Sequence, residues 1–215
     1  MVQIKSLLYT PRLDKWPTFA GIAYRYINIM KKVIFAINTT LDGVVDHMKI
    51  GPPDPETGEY FIHLTRDADT FLYGRKTYQL MVPYWPDVAK NPSGQTTART
   101  EFAQAFNAVG KIIVFSRSLD SAEGEKTRIV RTGLHDEVLK LKQEQGKNIM
   151  TGGVTLASQL AELGLIDEYH FVVHPIVAGE GRRLFEGINL QEKLQLKLVD
   201  SRVFKSGCVA LRYLK

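Results

Sequence analysis

A pair of glycines separates a strand pattern from a helix pattern in the segment 148–163. The apolar residues before Thr151 form a short run typical of a buried strand, and apolar residues recur at helical spacing after Gly153. A strand, two glycines and a helix start can form a cradle for a phosphate, because the helix start presents unpaired N–H groups and a partial positive charge. Glycine also lets an anion approach the backbone closely, since it has no Cβ. The segment predicts an α/β unit, with either a tight turn or an anion site at its centre.

Strand and helix patterns alternate across residues 32–175, which predicts an α/β fold. We expect a mixed, mostly parallel central sheet flanked by helices, with a C-terminal antiparallel hairpin at its edge. The predicted helices are 56–66, 74–81, 98–107 and 133–145, and the region around Pro83–Pro86 is expected to end the second of them. The predicted strands are 32–38, 69–73, 111–116 and the hairpin pair 194–204 and 208–214.

Composition narrows the class of protein. The 215 residues are 44% hydrophobic, which suits one domain with a full core, or a domain plus an extension. No apolar run approaches the roughly 18 residues of a membrane span, so we expect no membrane partner. The single cysteine, Cys208, excludes an internal disulfide and any zinc site built from several cysteines. A reducing, cytoplasmic location is expected.

The positive charge is concentrated at the N-terminus. The chain has 28 basic and 23 acidic residues, and residues 1–32 hold six of the basic and one of the acidic, so 22 of each sign remain. A neutral body of this kind argues against nucleic acid as a partner. We therefore divide the chain into an N-terminal extension, 1–30, and a single domain, 31–215. Three interpretations of the extension stay open: a start assigned upstream of Met30, a targeting peptide, or an ordered arm.

Two further strand ends carry residues suited to phosphate. Gly74 precedes Arg75, Lys76 and Thr77 where a strand meets a helix, and the cations there oppose the helix dipole unless an anion is bound. A hydroxyl and a guanidinium recur together at Ser116-Arg117. Strand ends are where open α/β sheets bind ligands, so the three junctions together indicate a binding track.

Other residue patterns are less specific. His170 and His174 share one face of a predicted strand, but no cluster of carboxylates or cysteines accompanies them, so we predict no metal site. The run Gly179-Glu180-Gly181 lacks the third glycine and the helix of a dinucleotide fingerprint, and is interpreted as a loop. No Ser–His–Asp or Cys–His arrangement is legible.

Several of these motifs together resemble the dihydrofolate reductase-like superfamily. The resemblance covers about 32–215 and is closest to the reductase domain of the riboflavin-biosynthesis bifunctional deaminase–reductase, here in a stand-alone form. The motifs that carry it are Thr40-Leu41-Asp42-Gly43, Gly74-Arg75-Lys76-Thr77-Tyr78, Tyr84-Trp85-Pro86, Ser116-Arg117-Ser118 and the segment 148–187.

The resemblance implies NADPH as the cofactor and assigns roles to residues. The pyrophosphate would lie at the glycine turn and the start of the next helix, while the arginine motifs would hold the pyrophosphate and the 2′-phosphate. The nicotinamide carboxamide would meet the backbone near Asn38, and Thr40, Asp42 and Gly43 would border the nicotinamide and the substrate. The implied cofactor residues are Asn38, Gly74, Arg75, Lys76, Thr77, Ser116, Arg117, Thr151, Gly152, Gly153, Val154, Thr155 and Leu156.

Departures from the family pattern concern the substrate. The riboflavin-pathway reductases usually have a lysine where this chain has Ala36, and the zinc deaminase motifs are absent. Glu59 lies near the spacing at which dihydrofolate reductases place a catalytic carboxylate, so Thr40, Asp42 and Glu59 are the catalytic candidates. The implied function is reduction of a C=N or C=O bond in a small heterocycle or sugar phosphate, nominally 5-amino-6-(5-phosphoribosylamino)uracil. Dihydrofolate or pteridine reduction and NADPH binding without catalysis stay open, and the resemblance implies a homodimer.

Overall fold

Residues 30–215 are described by the computed structural model. The strands are β1 (Val33–Thr40), β2 (Ala68–Gly74), β3 (Lys111–Phe115), β4 (Thr127–Val130), β5 (Asn148–Thr151), β6 (Glu168–His174), β7 (Lys197–Val203) and β8 (Val209–Leu214). The helices are α1 (His47–Ile50), α2 (Pro55–Arg66), α3 (Arg75–Met81), α4 (Tyr84–Lys90), α5 (Thr97–Ala108), α6 (Leu134–Gln143) and α7 (Thr155–Glu162). None of these helices is both long and apolar enough to cross a membrane. The interpretations of residues 1–29 concern a segment outside the described residues.

All eight strands belong to one sheet, in the order β4-β3-β2-β5-β1-β6-β8-β7. The six strands from β4 to β6 pair in parallel, whereas β8 is antiparallel to β6 and β7 is antiparallel to β8. The predicted mixed, mostly parallel sheet with a C-terminal antiparallel hairpin is confirmed. Because parallel strands end at one edge, the carboxyl ends of β3, β2, β5 and β1 lie side by side.

The sheet has a core on each face. Phe35 of β1 is fully buried in one cluster, together with Val138 of α6 and Leu160 of α7. Its neighbour Ala36 faces the other cluster, where Phe71 and residues of α3 and α5 pack. Successive side chains of a strand point to opposite faces, so a central strand covered on both sides is apolar at nearly every position. This explains the unbroken apolar run that begins β1.

The elements absent from the sequence predictions include α4 and β4, which both lie near the strand ends. The region around Pro83–Pro86 was expected to end a helix, and α3 does end at Met81, but α4 begins directly after Pro83. Pro86 lies in the first turn of α4, where a missing N–H leaves no hydrogen bond unmade. The four-residue strand β4 is too short for a clear alternation of apolar and polar side chains, and its pairing with β3 places it in the sheet.

A buried carboxylate joins the C-terminal hairpin to the rest of the sheet. Glu168 of β6 is 4% exposed, and its Oε1 accepts a hydrogen bond from Arg212 Nε of β8 at 2.6 Å. The same oxygen lies 2.8 Å from His170 Nε2, and the other ring nitrogen of His170 lies 2.5 Å from the hydroxyl of Tyr60 on α2. Burial alone would raise the pKa of Glu168, but the hydrogen bonds with His170 and Arg212 outweigh it and lower the pKa to about 2.

Acid should therefore weaken the fold through Glu168. Its pKa in the folded chain lies below the ordinary value of 4.5, so its stabilising effect is complete above pH 4.5 and is lost as the pH falls towards 2. We expect this group to remove about 3 kcal/mol from the free energy of unfolding over that interval. The measurement is chemical denaturation at a series of pH values for the wild type, Glu168→Gln and the exposed-residue control Glu192→Gln.

The Glu168→Gln variant should be about 3 kcal/mol less stable at pH 7, because Arg212 loses its buried partner, and should respond less to acid. Parallel pH curves for the wild type and Glu168→Gln would contradict this assignment.

Candidate functional site

The predicted binding residues meet at the carboxyl ends of four neighbouring strands. Thr151, the last residue of β5, pairs with Leu72 of β2 on one side and with Phe35 of β1 on the other. On the far side of β2, Gly74 pairs with Phe115, so the Ser116-Arg117 pair follows directly at the same edge. We call this edge, with the starts of α3 and α7, the strand-end site.

The glycine turn fits between β1 and α3. Gly153 has a φ of +80°, and a Cβ at this position would overlap the hydroxyl of Thr77. A Cβ on Gly152 would lie 3.6 Å from the carbonyl oxygen of Ala36. Both the backbone conformation and the space around residue 153 therefore favour glycine. The turn lies against β1 and against α3, so it brings three of the predicted segments together.

Thr151 lies beneath this turn. Its side chain is fully buried, and its hydroxyl donates a hydrogen bond to the carbonyl oxygen of Leu72 at 2.9 Å. The hydroxyl thus holds β5 against β2 at the point where the chain turns. Thr151 therefore stabilises the site from within the protein, whereas the two glycines that follow it are only half-buried.

Two helices begin at the strand-end site without a side-chain cap. Gly74 is the N-cap of α3 and Val154 is the N-cap of α7, and neither residue has a side chain that can accept from the first-turn N–H groups. Uncapped helix starts leave backbone donors and a partial positive charge for another acceptor. Arg75 and Lys76 are exposed in the first turn of α3, so cations accompany these donors.

A second arginine stands beside Arg117. Arg131 follows β4 directly, and its guanidinium donates to the carbonyl oxygens of Arg117 at 3.3 Å and Asp120 at 3.5 Å. In the described part of the chain, neither arginine has a carboxylate within ion-pair distance. The Ser116 hydroxyl accepts from the backbone N–H groups of the next loop, at 3.0 Å for Leu119. Sequence reasoning missed Arg131 because it missed β4, although the β-branched residues of 127–130 were a usable signal.

Asp42 fastens two loops together. Its carboxylate accepts hydrogen bonds from the Thr40 hydroxyl at 2.6 Å, from Ala178 N at 3.0 Å and from Gly179 N at 2.8 Å. Arg183 also donates to the Asp42 carbonyl oxygen. The hydrogen bond from Thr40 and those from the two backbone N–H groups hold the pKa of Asp42 well below its usual range. Thr40 and Asp42 thus lie together at the end of β1, with the carboxylate ionised and surrounded by donors.

Glu59 lies apart from Thr40 and Asp42. Its side chain is 63% exposed and stands 3.6 Å from His63 Nε2, one turn along the outer face of α2. Its neighbours Tyr60 and Phe61 occupy the face that packs against the sheet. The carboxylate therefore points to solvent in this structure.

Arg182 adds a cation that sequence reasoning did not select. Its guanidinium donates to the Thr155 hydroxyl at 2.9 Å, and Thr155 is the first residue of α7. The loop after β6 is in this way tied both to the end of β1, through Asp42, and to the helix that follows the glycine turn. The run 179–181, interpreted from sequence as a loop, forms part of this connection.

His174 closes the site on the β6 side. It is 5% exposed, and its Nε2 lies 2.9 Å from Asn38 Oδ1 while its Nδ1 lies 3.4 Å from Cys208 Sγ. Burial lowers the pKa of His174, although Asp54 nearby acts in the opposite direction. His170 and His174 do share a face, as predicted. Within residues 30–215, no three His, Cys, Asp or Glu side chains are grouped closely enough to hold a metal ion.

Comparison with known sequences agrees with this arrangement. Residues 31–210 match the RibD C-terminal domain. The chain belongs to the RibD C-terminal domain family. It is 34% identical over 189 residues to the uncharacterized protein YyaP of Bacillus subtilis (strain 168), which covers 85% of this chain and 94% of YyaP. It is 28% identical over 176 residues to YwjB of the same organism, covering 78% of this chain and 90% of YwjB.

Solved structures share the fold. A putative riboflavin biosynthesis protein from Shewanella sp. PV-4 superposes with a TM-score of 0.63 at 20% identity, covering 86% of this chain and 98% of that one. A diaminohydroxyphosphoribosylaminopyrimidine deaminase/5-amino-6-(5-phosphoribosylamino)uracil reductase from Thermotoga maritima gives 0.61 at 16% identity, covering 90% of this chain and 59% of that longer one. The predicted resemblance to dihydrofolate reductase-like, riboflavin-pathway proteins is confirmed.

The glycine turn can be tested without any ligand. Gly153→Ala should lower the free energy of unfolding by about 2 kcal/mol, because the left-handed backbone and the Thr77 hydroxyl both oppose a Cβ. Gly152→Ala is the matched control and should change it by less than about 0.5 kcal/mol, since its Cβ has ordinary contacts and its φ is not positive. Both are measured by urea denaturation.

Adding Thr77→Ala to Gly153→Ala separates the two causes. The overlap should disappear and part of the stability should return, while the backbone strain remains. Equal losses for Gly152→Ala and Gly153→Ala would contradict the described fit of the turn.

Proposed function

We propose that this protein is an NADPH-dependent reductase that transfers a hydride to a C=N or C=O bond of a small heterocycle or sugar phosphate. The observation that carries the proposal is the glycine turn, in which Gly153 stands against Thr77 and Gly152 beside Ala36. This turn is a backbone cradle of the kind that a dinucleotide pyrophosphate requires. The nominal substrate is 5-amino-6-(5-phosphoribosylamino)uracil, which the name of the Thermotoga maritima relative contains.

The pyrophosphate is assigned to the glycine turn and the two helix starts. Backbone N–H groups of Gly152, Gly153 and the first turn of α7 would donate to its oxygens, and Arg75 and Thr77 would face it from α3. Arg182 stands beside the same turn through its hydrogen bond to Thr155. Donors on fixed backbone, accompanied by guanidinium groups, suit a doubly charged group.

The 2′-phosphate is assigned to Arg117 and Arg131. The Arg131 guanidinium donates to the backbone carbonyl of Arg117, so the two arginines follow neighbouring strands side by side, and a doubly charged phosphate matches their fork-shaped donors. This pair would distinguish NADPH from NADH. Ser116 would contribute by fixing the loop that carries Arg117, because its hydroxyl accepts from Leu119 N.

The nicotinamide carboxamide is assigned to the backbone of β1 beyond the end of β5. Lys32 O accepts from Ile149 N of β5, and Val33 O accepts from Asp167 N just before β6. The backbone N–H and C=O groups of even-numbered residues in β1 therefore point towards β5. The pairing with β5 ends at Phe35, which leaves the carbonyl of Ala36 and the N–H of Asn38 beyond the last pair. An N–H and a C=O on one strand edge complement a carboxamide.

When bound, NADPH supplies the hydride, and the reduction also consumes one proton. We assign that proton to water. Asp42 stays ionised because its carboxylate is surrounded by donors, and Glu59 is directed to solvent. Asp42 and Thr40 would then act by holding the loop at the end of β1 against the loop after β6. We assign the activity to residues 31–215 and to the cytoplasm, where the unpaired thiol of Cys208 stays reduced.

A second candidate is an NADPH-binding module without catalysis. The outward direction of Glu59, together with Ala36 in place of the family lysine, favours it. Turnover distinguishes the two candidates. NADPH oxidation in the presence of 5-amino-6-(5-phosphoribosylamino)uracil supports the reductase, whereas tight NADPH binding without oxidation, with pteridines and ribosylamines included, supports the module.

Cofactor choice tests the arginine assignments. The wild type should bind NADPH more tightly than NADH. Arg75→Ala, Arg117→Ala and Arg131→Ala should each weaken NADPH about ten- to a hundredfold, and NADH less, because each removes a charge-assisted contact. Dissociation constants are measured by calorimetric titration, with Arg66→Ala in the last turn of α2 as the control. Equal losses for both cofactors would refute the 2′-phosphate assignment.

We further propose a homodimer formed through β7. This strand ends the sheet and pairs with β8 on one side only among the described residues. Its sequence is self-complementary about Ser201, since a two-fold axis there places Asp200 opposite Arg202 of a second copy and Val203 beside the bulge at Val199. Opposite charges directly across an antiparallel pair stabilise it.

A lysine in β7 should separate the two copies. Val203 is 74% exposed, so Val203→Lys leaves the single chain folded but places a charge in the proposed pairing. Val177→Lys, at a residue 71% exposed elsewhere, is the control. Sedimentation should show the wild type and the control at twice the chain mass and Val203→Lys at the chain mass. A wild-type monomer would end the dimer proposal.

A further inference from the structure

A polar cluster adjoins the strand-end site, and its side chains have no role in the proposed binding of NADPH. It consists of Asn38 at the end of β1, His174 at the end of β6 and Cys208 just before β8. His174 Nε2 lies 2.9 Å from Asn38 Oδ1, and His174 Nδ1 lies 3.4 Å from Cys208 Sγ. The imidazole and the thiol are both nearly inaccessible, so these contacts are made within the protein and not through solvent.

The chemistry of the three groups sets a direction for the hydrogen bonds. The amide oxygen of Asn38 only accepts, so the proton of a neutral His174 belongs on Nε2. Nδ1 then carries the lone pair and accepts the thiol proton of Cys208. Asp54 is the carboxylate whose charge acts on the pKa of His174, and it already accepts from the Thr57 and Ser206 hydroxyls at 2.6 Å and 2.9 Å. It therefore has donors of its own and does not need the imidazole proton.

The direction of these hydrogen bonds determines which group of the Asn38 side-chain amide can contact a ligand. With Oδ1 turned to His174, the NH₂ group points away from it, and the described residues offer it no acceptor within hydrogen-bonding distance. Asn38 is half-buried, and its side chain lies on the same face of β1 as those of Ala36 and Thr40. Ala36 is the preceding residue on this face, and its carbonyl oxygen lies close to Gly152. An amide donor thus stands next to the place assigned to the nicotinamide.

We propose that Asn38 is a specificity-determining residue that donates a hydrogen bond to a carbonyl oxygen of the substrate heterocycle, and that His174 and Cys208 are positioning residues that fix its orientation. The proposal deepens the proposed reductase function and rests on it for the identity of the ligand. It selects pyrimidines with ring carbonyls over analogues with amino groups at the same positions, because an amino group presents a second donor to the amide.

The first test concerns the protein alone. NMR of the ¹⁵N-histidine-labelled full chain reports the tautomer of each of the five histidines, and His174→Gln identifies the signal of His174. We expect the Nε2–H tautomer in the wild type and in Cys208→Ser, which keeps a donor, and a mixture of tautomers in Cys208→Ala. A wild-type His174 protonated on Nδ1 would overturn the proposed orientation of Asn38. The result does not depend on NADPH, so it stands even if the reductase function fails.

The second test uses two matched ligands, 5,6-diaminouracil and 2,4,5,6-tetraaminopyrimidine, which has amino groups in place of the two carbonyls. Dissociation constants are measured with NADP⁺-saturated protein. The wild type should prefer the uracil by about three- to tenfold, the range of one neutral hydrogen bond. Asn38→Asp keeps an oxygen for His174 but presents a second oxygen to the ligand, so the preference should reverse.

The reversal distinguishes selection by Asn38 from a structural effect. A variant that only loosens the site would weaken the binding of both ligands alike, and that result would overturn the proposal. A wild type that binds neither ligand, or binds both equally, would overturn it too. Both ligands are titrated at NADP⁺ concentrations that saturate each variant, so the comparison of the two ligands does not depend on the variant's affinity for the cofactor. A wild type without NADP⁺ affinity would refute the proposed function, while the tautomer measurement would still decide the orientation of Asn38.

Discussion

The close approach of the β5–α7 turn to α3 determines the geometry of the whole strand-end site. Because Gly153 has no Cβ, the backbone of the turn can lie against the hydroxyl of Thr77, and the start of α7 comes next to the start of α3. Beneath the turn, the Thr151 hydroxyl holds β5 to β2. The parallel pairing of β2 with β5 and these two contacts together place the backbone donors of the two helix starts side by side.

Charged residues serve two different purposes in this fold. The carboxylates of Asp42 and Glu168 are surrounded by hydrogen-bond donors, which keeps them ionised and makes them fasteners between distant parts of the chain. The guanidinium groups of Arg117 and Arg131 have no such carboxylate partners among the described residues. A protein that surrounds these two anions with donors and leaves two cations without carboxylate partners at one edge is suited to an anionic ligand at that edge.

Features that depend on neighbouring residues could be predicted from the sequence, whereas features that depend on contacts between distant residues could not. The strand–glycine–helix junctions at Gly74 and Gly152 are local patterns, and the sheet order brings them together as expected. Arg131 was missed because β4 is too short to show an alternating pattern, so its β-branched residues were the one signal available. The direction of Glu59 depends on which face of α2 packs on the sheet, and the contact between Asn38 and His174 joins positions 136 residues apart. No local spacing reports such contacts.

The hydrogen bonds that Asp42 accepts have a consequence for the folding of the chain during synthesis. Its partners Ala178 and Gly179 follow it by 136 and 137 residues, and the loop they hold forms one wall of the site. Contacts between such distant positions form slowly, because the chain between them must first be ordered. During synthesis, the strands that precede β6 are available for pairing long before this wall can close. A chain that stops before residue 178 contains all six parallel strands but lacks the loop that Asp42 holds, so the core can fold before the site is complete.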